Sequence, residues 1–418
     1  MKKRLLVLSF DALGAADFEY LQTHEIMREF FNTGAICKNV ASVYPSVTYA
    51  CHTSIVTGLW PKNHGIVANT LVQKNRVNNP DWYWQRKYIK SETIYDIAIK
   101  SGYTTASFLW PVTAKSKIKY HLPEIFPNRK WDTQIFSVLR NGNPYFLIEI
   151  FKRYRHMLNG IKQPNLDDFV TESVVFTIKE KKPDFMLVHF TDLDTARHDY
   201  GVNSQNAYDA IDRLVSRFKK IVDVLKEVHL FEETNIVILG DHYQIDFHTK
   251  VALNELFEKS NWLTVKNEQI IKYRALVKSN AGSAYIYVND NETNLDELRI
   301  FLEKLQQNPK NGIEKILTKA EAASLGADSE CAFILEAKEG FVFTDSFGGG
   351  EKGKVAEHGY NPTDKGNYKT FYAMSGPDVA SSVEVSGMRL IDIAPTWAKM
   401  LNLDIGVVDG LVVEDMIK

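Results

Sequence analysis

A doubly wound α/β fold, with a mostly parallel sheet between helices, is expected for this chain of 418 residues. Three observations point to it. Continuous apolar runs mark strands covered on both faces, helical stretches lie between them, and three of the runs end in an acidic residue. The composition is globular: 44% hydrophobic, 12% aromatic and 24% charged residues exclude a disordered, fibrous or coiled-coil chain. Lys+Arg total 50 and Asp+Glu 52, a formal charge of -2. No global field therefore draws the molecule to nucleic-acid polymers or anionic lipid, and phosphate recognition has to be local.

In chain order, Leu5–Phe10 follows Met1-Lys2-Lys3-Arg4 and at first resembles a secretory leader. The run is six residues long and stops at Asp11, short of the roughly 7–15 apolar residues a leader needs, so it reads as a buried strand. No later stretch approaches the roughly 20 apolar residues of a membrane span. Cys37, Cys51 and Cys331 are odd in number and far apart, which argues against a disulfide framework and for a reducing compartment. A soluble, cytoplasmic protein is the expectation.

Pro45 favours an extended approach to a short helix over Ala50–Thr57, closed by Gly58. A second helix, Ser91–Ser101, has Ser91 as N-cap and stops at Gly102. Phe185–Phe190 and Asn235–Gly240 are further buried strands. Between them Asn203–Glu227 places Ile211, Leu214, Phe218, Ile221 and Leu225 on one helical stripe. The expected organisation is a core over 1–243 with a helical insertion at about 112–170, a small inserted α+β cap over 244–356, and the rest of the core over 357–418. In the cap, Ala284–Val288 reads as a strand, Leu295–Gln306 as a helix, and the stretch near Ala332–Phe343 as a strand pair. The basic, aromatic run from Phe151 to His156 reads as a solvated helix face.

The strand ends carry the chemistry. The first run ends in Asp11, the second leads into Asp192-Leu193-Asp194, and the third into Asp241-His242. Ligands of open α/β sheets bind outside the carboxyl ends of the strands. Carboxylates gathered there repel one another unless a cation joins them. His198, four residues after Asp194, and His242 indicate a transition ion, because mixed Asp/His ligation suits zinc, manganese or iron better than magnesium or calcium. Any one of these aspartates alone reads as a helix N-cap; three of them with histidines at short offsets do not. Thr48 falls at or beside a helix N-terminus, a seat for phosphate, where a neighbouring metal can prepare its hydroxyl to attack phosphorus.

These residues fall into motifs: Ser9-Phe10-Asp11, Pro45-x-x-Thr48, Ser54-Ile55-Val56-Thr57-Gly58-Leu59-x-Pro61, His64-Gly65-Ile66-x-x-Asn69, Asp194-x-x-x-His198, Gly240-Asp241-His242, His358-Gly359-Tyr360 and Asp392-Ile393-Ala394-Pro395-Thr396. In this order the set resembles the type I phosphodiesterase/nucleotide pyrophosphatase family of the alkaline phosphatase superfamily. The resemblance runs from residue 9 to about 400 and implies an alkaline-phosphatase-like fold with two divalent metal sites. Asp194, His198 and His358 would hold one ion. Asp11, Asp241 and His242 would hold the other, with Thr48 as a further ligand and the nucleophile. Asn69 matches the asparagine that donates to a phosphoryl oxygen. His358 as a ligand rests on the resemblance alone.

The chain departs from the family pattern at Ala50-Cys51 before His52, at Tyr243, and at Asn361, none of which removes a ligand. The function so implied is cleavage of a small phosphodiester, pyrophosphate or nucleotide through a phosphoryl-threonine intermediate. Tyr49 and Trp110 are candidates to stack on a nucleobase. Phosphonate hydrolysis or phosphate monoester hydrolysis on the same site is the alternative. A monoesterase needs extra cations, for which Arg86, Lys87 and Arg197 are candidates. A catalytically silent metal- or nucleotide-binding protein is a third reading. Neither a substrate identity nor an oligomeric state can be read from the residues.

Overall fold

The computed structural model describes residues 2–129, 131–289, 292–349 and 353–418. Its main sheet has nine strands. From one edge the order is Val383–Glu384, Ala35–Ala41, Thr370–Ser375, Thr234–Leu239, Arg4–Phe10, Phe185–Phe190, Thr105–Phe108 and Tyr120–Leu122, with Met388–Arg389 also paired to Ala35–Ala41. Only Thr370–Ser375 runs antiparallel to its neighbours. The remaining pairs are parallel.

Arg4–Phe10 shows why the apolar runs are unbroken. Leu6, Leu8 and Phe10 belong to one core cluster and Leu5 and Val7 to another, one on each face of the sheet. The first face is covered by the helix Gln205–Glu227, capped by Ser204, whose Ile211, Leu214, Phe218, Ile221 and Leu225 are buried in the same cluster. The second is covered by the helices Thr48–Thr57 and Ile393–Leu401, through Ile55 and Trp397 among others. Gly58 ends the Thr48–Thr57 helix at φ 71, in the left-handed region where a side chain is strained.

Several boundaries shift from expectation. The short helix begins at Thr48 rather than Ala50. The helix expected over Ser91–Ser101 spans Ile94–Lys100, because Thr93, not Ser91, takes the Asp96 backbone N–H and closes a capping box. The 112–170 stretch is joined to the core: it supplies the edge strand Tyr120–Leu122, and Phe146, Leu147 and Ile150 pack into the first cluster. Arg153, in the basic run, lies 4.5 Å over the Phe176 ring.

Between 244 and 356 three smaller sheets form. Ala275–Ser279, Ser283–Val288, Phe333–Ala337 and Ile313–Thr318 make an antiparallel sheet, flanked by the helix Leu295–Gln307. The strands Phe333–Ala337 and Gly340–Thr344 are not partners of one another. The second joins Ile245–Ala252 and Ala356–Glu357, because its register is taken from Phe247–Ala252. Among the described residues, no helix is long and apolar enough to cross a membrane.

Candidate metal-binding active site

Sheet register delivers the acids to one edge. Phe10 pairs with Phe190 and Ser9 with Leu239, so the residues that follow all emerge together: Asp11, the helix Asp192–Tyr200 carrying Asp194 and His198, and Asp241-His242. His358 returns over a long sequence distance by local pairing. Glu357 lies opposite Ile245 in an antiparallel bridge, which sets His358 beside the segment that leaves His242.

Asp11, Asp241 and His242 form an inner group whose ligand atoms lie within 4.8 Å of one another. All three are buried. His242 Nε2 is 3.4 Å from Asp11 Oδ1 and 3.3 Å from Asp241 Oδ2. Burial, and then Asp194 and Glu124, push the Asp11 carboxyl well above the usual range; burial and Asp11 do the same to Asp241. Burial and the adjacent His358 hold the His242 imidazole neutral.

The outer group is less simple. Asp194 Oδ1 is 3.3 Å from His198 Nε2, and His358 stacks on His242 with ring centroids 4.1 Å apart. Asp194, His242 and His358 form one set of close ligand atoms, and His198, Glu357 and His358 another. His198 Nδ1 donates to the Ala356 carbonyl at 2.7 Å, which leaves Nε2 to face Asp194. Although burial opposes it, His198, His358 and His242 hold the Asp194 carboxyl well below its usual range. Against the same opposition, Asp194 and Glu357 raise His198. Burial lowers His358 to about 4.

Thr48 opens its helix at the mouth of this cluster, with Oγ1 3.1 Å from His242 Nε2. Asn69 Oδ1 accepts from the Tyr49 backbone N–H at 2.9 Å, so its NH2 group remains as the donor to the cleft it lines. That cleft measures about 660 Å³ and is lined by Asp11, Thr48, Tyr49, Asn69, Asp194, His198 and His358 among others. Trp110 is a correction. It is fully buried, packs edge-on against His52 at 4.8 Å and does not line the cleft, because Leu109, at φ 52, turns the chain so that its own side chain takes that place. Tyr49 does line it, 5.2 Å from Trp82.

The cations expected of a monoesterase are engaged elsewhere. Arg86 binds Asp96 and the carbonyls of Ile89 and Ser91. Arg197, 1% exposed, holds Asp17 and the carbonyls of Ala12 and Val202. Lys87 is exposed on the turn Arg86–Tyr88, outside the cleft lining.

Sequence reasoning missed four participants. His189 links Asp11 Oδ2 (3.1 Å) to the Leu109 carbonyl. His52 donates from Nδ1 to the Thr48 carbonyl at 2.8 Å, and its Nε2 meets Ser9 Oγ at 2.9 Å. Glu357 sits beside His198 and His358, lowered to about 2, against its burial, by His198, Lys354 and His358. Gln244 donates to Asp194 Oδ1 at 2.5 Å. His189 sits inside a strand that reads as apolar core, and His52 inside a helix, so spacing gave no sign of either.

The donor set fits divalent ions. Among the described residues, Asp11 Oδ1, Asp241 Oδ2, His242 Nδ1 and His358 Nδ1 are buried without a hydrogen-bond partner, while the other oxygen of each inner acid is satisfied. Carboxylates and neutral imidazoles converging in this way are costly without positive charge between them.

The profile of a family described as type I phosphodiesterase / nucleotide pyrophosphatase matches residues 5–361. Human ectonucleotide pyrophosphatase/phosphodiesterase family member 1 is 26% identical over 251 residues, which is 57% of this chain and 23% of that protein. Venom phosphodiesterase 2 of Crotalus adamanteus is 25% identical over 252 residues, 57% of this chain and 26% of that one. The matched stretch therefore spans about a quarter of the length of these curated relatives. Among solved structures, murine ectonucleotide pyrophosphatase / phosphodiesterase 5 superposes with a TM-score of 0.71 at 18% identity, covering 100% of both chains. An inactive form of that murine protein, in complex with AMP, superposes equally well, with a TM-score of 0.71.

Proposed function

Because this chain belongs to the type I phosphodiesterase/nucleotide pyrophosphatase family, we propose that it is a metal-dependent hydrolase of phosphodiester or pyrophosphate bonds in small molecules. The observation that carries this reading is Thr48 Oγ1, 3.1 Å from His242 Nε2 at the N-terminal end of a ten-residue helix, beside clustered Asp and His side chains that could hold metal. Asp11, Asp241 and His242 would hold one divalent ion and Asp194, His198 and His358 a second, zinc first and manganese or iron as alternatives. When bound, such ions supply positive charge that favours the threonyl alkoxide and offsets charge gathering on phosphoryl and leaving oxygens.

The chain's own residues do the rest. His52 fixes the Thr48 carbonyl, so the nucleophile's backbone cannot drift within the helix turn. The positive end of the helix dipole favours the anionic phosphoryl group there. Asn69, held by its oxygen on Tyr49 N–H, presents its NH2 group to a phosphoryl oxygen, where a donor placed for the transition state lowers the barrier. Thr48 Oγ1 bonds to phosphorus as the bond to the leaving oxygen breaks, and the threonyl proton leaves with that oxygen as an alcohol or acid. Water oxygen then bonds to phosphorus, the Thr48 Oγ1–P bond breaks, and a proton of that water restores the Thr48 hydroxyl.

The assay is the metal-loaded enzyme on bis-p-nitrophenyl phosphate beside p-nitrophenyl phosphate and phosphonoacetate. Preference for the diester is expected. A strong preference for the monoester, or for the phosphonate, overturns the assignment. A cytoplasmic location goes with this reading: Cys37, Cys51 and Cys331 are all free and buried, as a reducing compartment allows. Recovery of the active enzyme outside the cell would contradict it.

A further inference from the structure

The 244–356 segment reaches the core through a fully buried acid. Glu336 lies on the strand Phe333–Ala337, opposite Ser283 on one neighbouring strand and Lys315 on the other. Burial pushes its carboxyl up to about 8, although the Asn361 N–H, the Tyr44 hydroxyl and Lys365 all oppose the rise. A buried acid is costly, and an apolar side chain would suit a strand that is buried along its whole length.

What the two carboxylate oxygens hold accounts for it. Glu336 Oε2 accepts from the Tyr44 hydroxyl at 2.7 Å, and Oε1 accepts from the Asn361 backbone N–H at 2.9 Å. Tyr44 stands just ahead of Thr48 in the chain, and Asn361 just after His358. Neither Glu336 nor Tyr44 lines the cleft. Lys365 Nζ is more distant, 3.8 Å from Oε1, and is shared with Glu314 and the Ala337 carbonyl. The two short hydrogen bonds, not the ion pair, are therefore the tighter contacts.

The loops so joined also touch each other. The Gly359 N–H donates to the Ser46 carbonyl at 3.0 Å, and Ser46 Oγ donates to the Tyr360 carbonyl at 2.8 Å. Ser283, the register partner of Glu336, donates from Oγ to the Gly359 carbonyl at 2.7 Å. Gly359 is required here, because its φ is 89 and a Cβ would lie 1.7 Å from the Asn280 carbonyl oxygen. Tyr44 in turn packs among Tyr285, Cys331 and Ile334 of the inserted segment.

We propose that Glu336 is a positioning residue. By accepting the Tyr44 O–H and the Asn361 N–H together, it holds the loop that leads into Thr48 and the loop that carries His358 at one separation. This rests on the reading of Thr48 as nucleophile and His358 as metal ligand. Misplacing a reacting group by about 1 Å costs on the order of 10²-fold, so that separation bears directly on the rate.

Glu336→Leu fills the space but accepts neither donor. In metal-loaded enzyme it should lower kcat on bis-p-nitrophenyl phosphate about 10²-fold with KM changed by less than about twofold, since the cleft wall stays in place. Glu336→Gln should recover most of the loss: its amide oxygen can accept the Asn361 N–H while its NH2 group donates to the Tyr44 oxygen. Tyr44→Phe, which removes one hydroxyl, should lower kcat by up to about tenfold. Unchanged kcat in Glu336→Leu, a loss that Glu336→Gln does not relieve, or a loss that lies in KM overturns the proposal.

Amide hydrogen exchange on the full chain needs no turnover. Glu336→Leu should raise exchange over both 44–48 and 358–361, Tyr44→Phe over 44–48 alone, and Glu336→Gln over neither. Unchanged exchange in either segment of Glu336→Leu overturns the proposal. If Glu336→Leu does not fold, Tyr44→Phe decides, and unchanged kcat or unchanged exchange over 44–48 overturns it. A wild type that fails to cleave the diester while this exchange pattern holds counts against the hydrolase reading alone.

Discussion

The two halves of the proposed metal-ligand cluster are built differently. Asp11, Asp241 and His242 are at most 3% exposed; Asp11 directly follows a central strand, and Asp241-His242 follow another after the single residue Gly240. Their spacing is fixed by the parallel register that pairs Arg4–Phe10 with both neighbours. Asp194, His198 and His358 are carried by a helix and by the residue after a two-residue strand, and Asp194 and Glu357 keep partial contact with solvent. The outer half is assembled by the packing of the 244–356 segment onto the core. The inner half should therefore hold its metal more tightly, and the outer half should exchange first.

Substitutions can break that contrast, beginning with the group that both halves serve. Thr48→Ala should lower turnover by more than about 10³-fold while metal content, read by elemental analysis, stays near wild type, since nucleophile losses are of this order or larger. Retained activity would move the chemistry to another residue. Asp241→Asn should cost on the order of 10³-fold in kcat and deplete the inner ion, because a metal supplies several kcal/mol of charge stabilisation. His358→Ala should cost less, about 10²-fold, and should leave one ion per chain. Equal metal loss in the two variants would remove the distinction between the halves.

Metal-free protein sharpens it. Glu124 titrates at about 7 in the fold against 4.5 for the ordinary group. The stability of its protonated form is complete below the unfolded value and is lost as pH rises through about 7. Denaturant unfolding of chelated wild type should therefore fall relative to Glu124→Gln by on the order of 2–3 kcal/mol between pH 5 and 8. Parallel profiles would mean that the acid is solvated. The smallest effect is expected from Glu357→Gln. It should weaken the outer ion about tenfold by competition with a chelator, as loss of a residue supporting a metal ligand does, and leave the inner ion unchanged.

The contrast also decides what could be read in the residues. Asp11, Asp194 and Asp241 were legible because unbroken apolar strands lead into them, and parallel strands share one carboxyl edge. The Gln205–Glu227 helix was legible from its stripe, and Thr48 from the helix that Gly58 closes. His358 was not legible from spacing, since an antiparallel bridge between Glu357 and Ile245, far apart in sequence, places it. Trp110 was misread because residue type says nothing of direction: Leu109 at φ 52 takes the cleft and Trp110 the core. Glu124 and Phe126, on the segment after an edge strand, meet Trp82, on a separate loop, only in three dimensions, and the two segments carry no common pattern.

Anomalous diffraction from crystals grown with excess zinc or manganese bears on the cage itself. Two peaks are expected about 3.5–4 Å apart, one among Asp11, Asp241 and His242 and beside Thr48 Oγ1, the other among Asp194, His198 and His358. No peak among these side chains, or a single ion with Thr48 turned away from it, would contradict the two-site account.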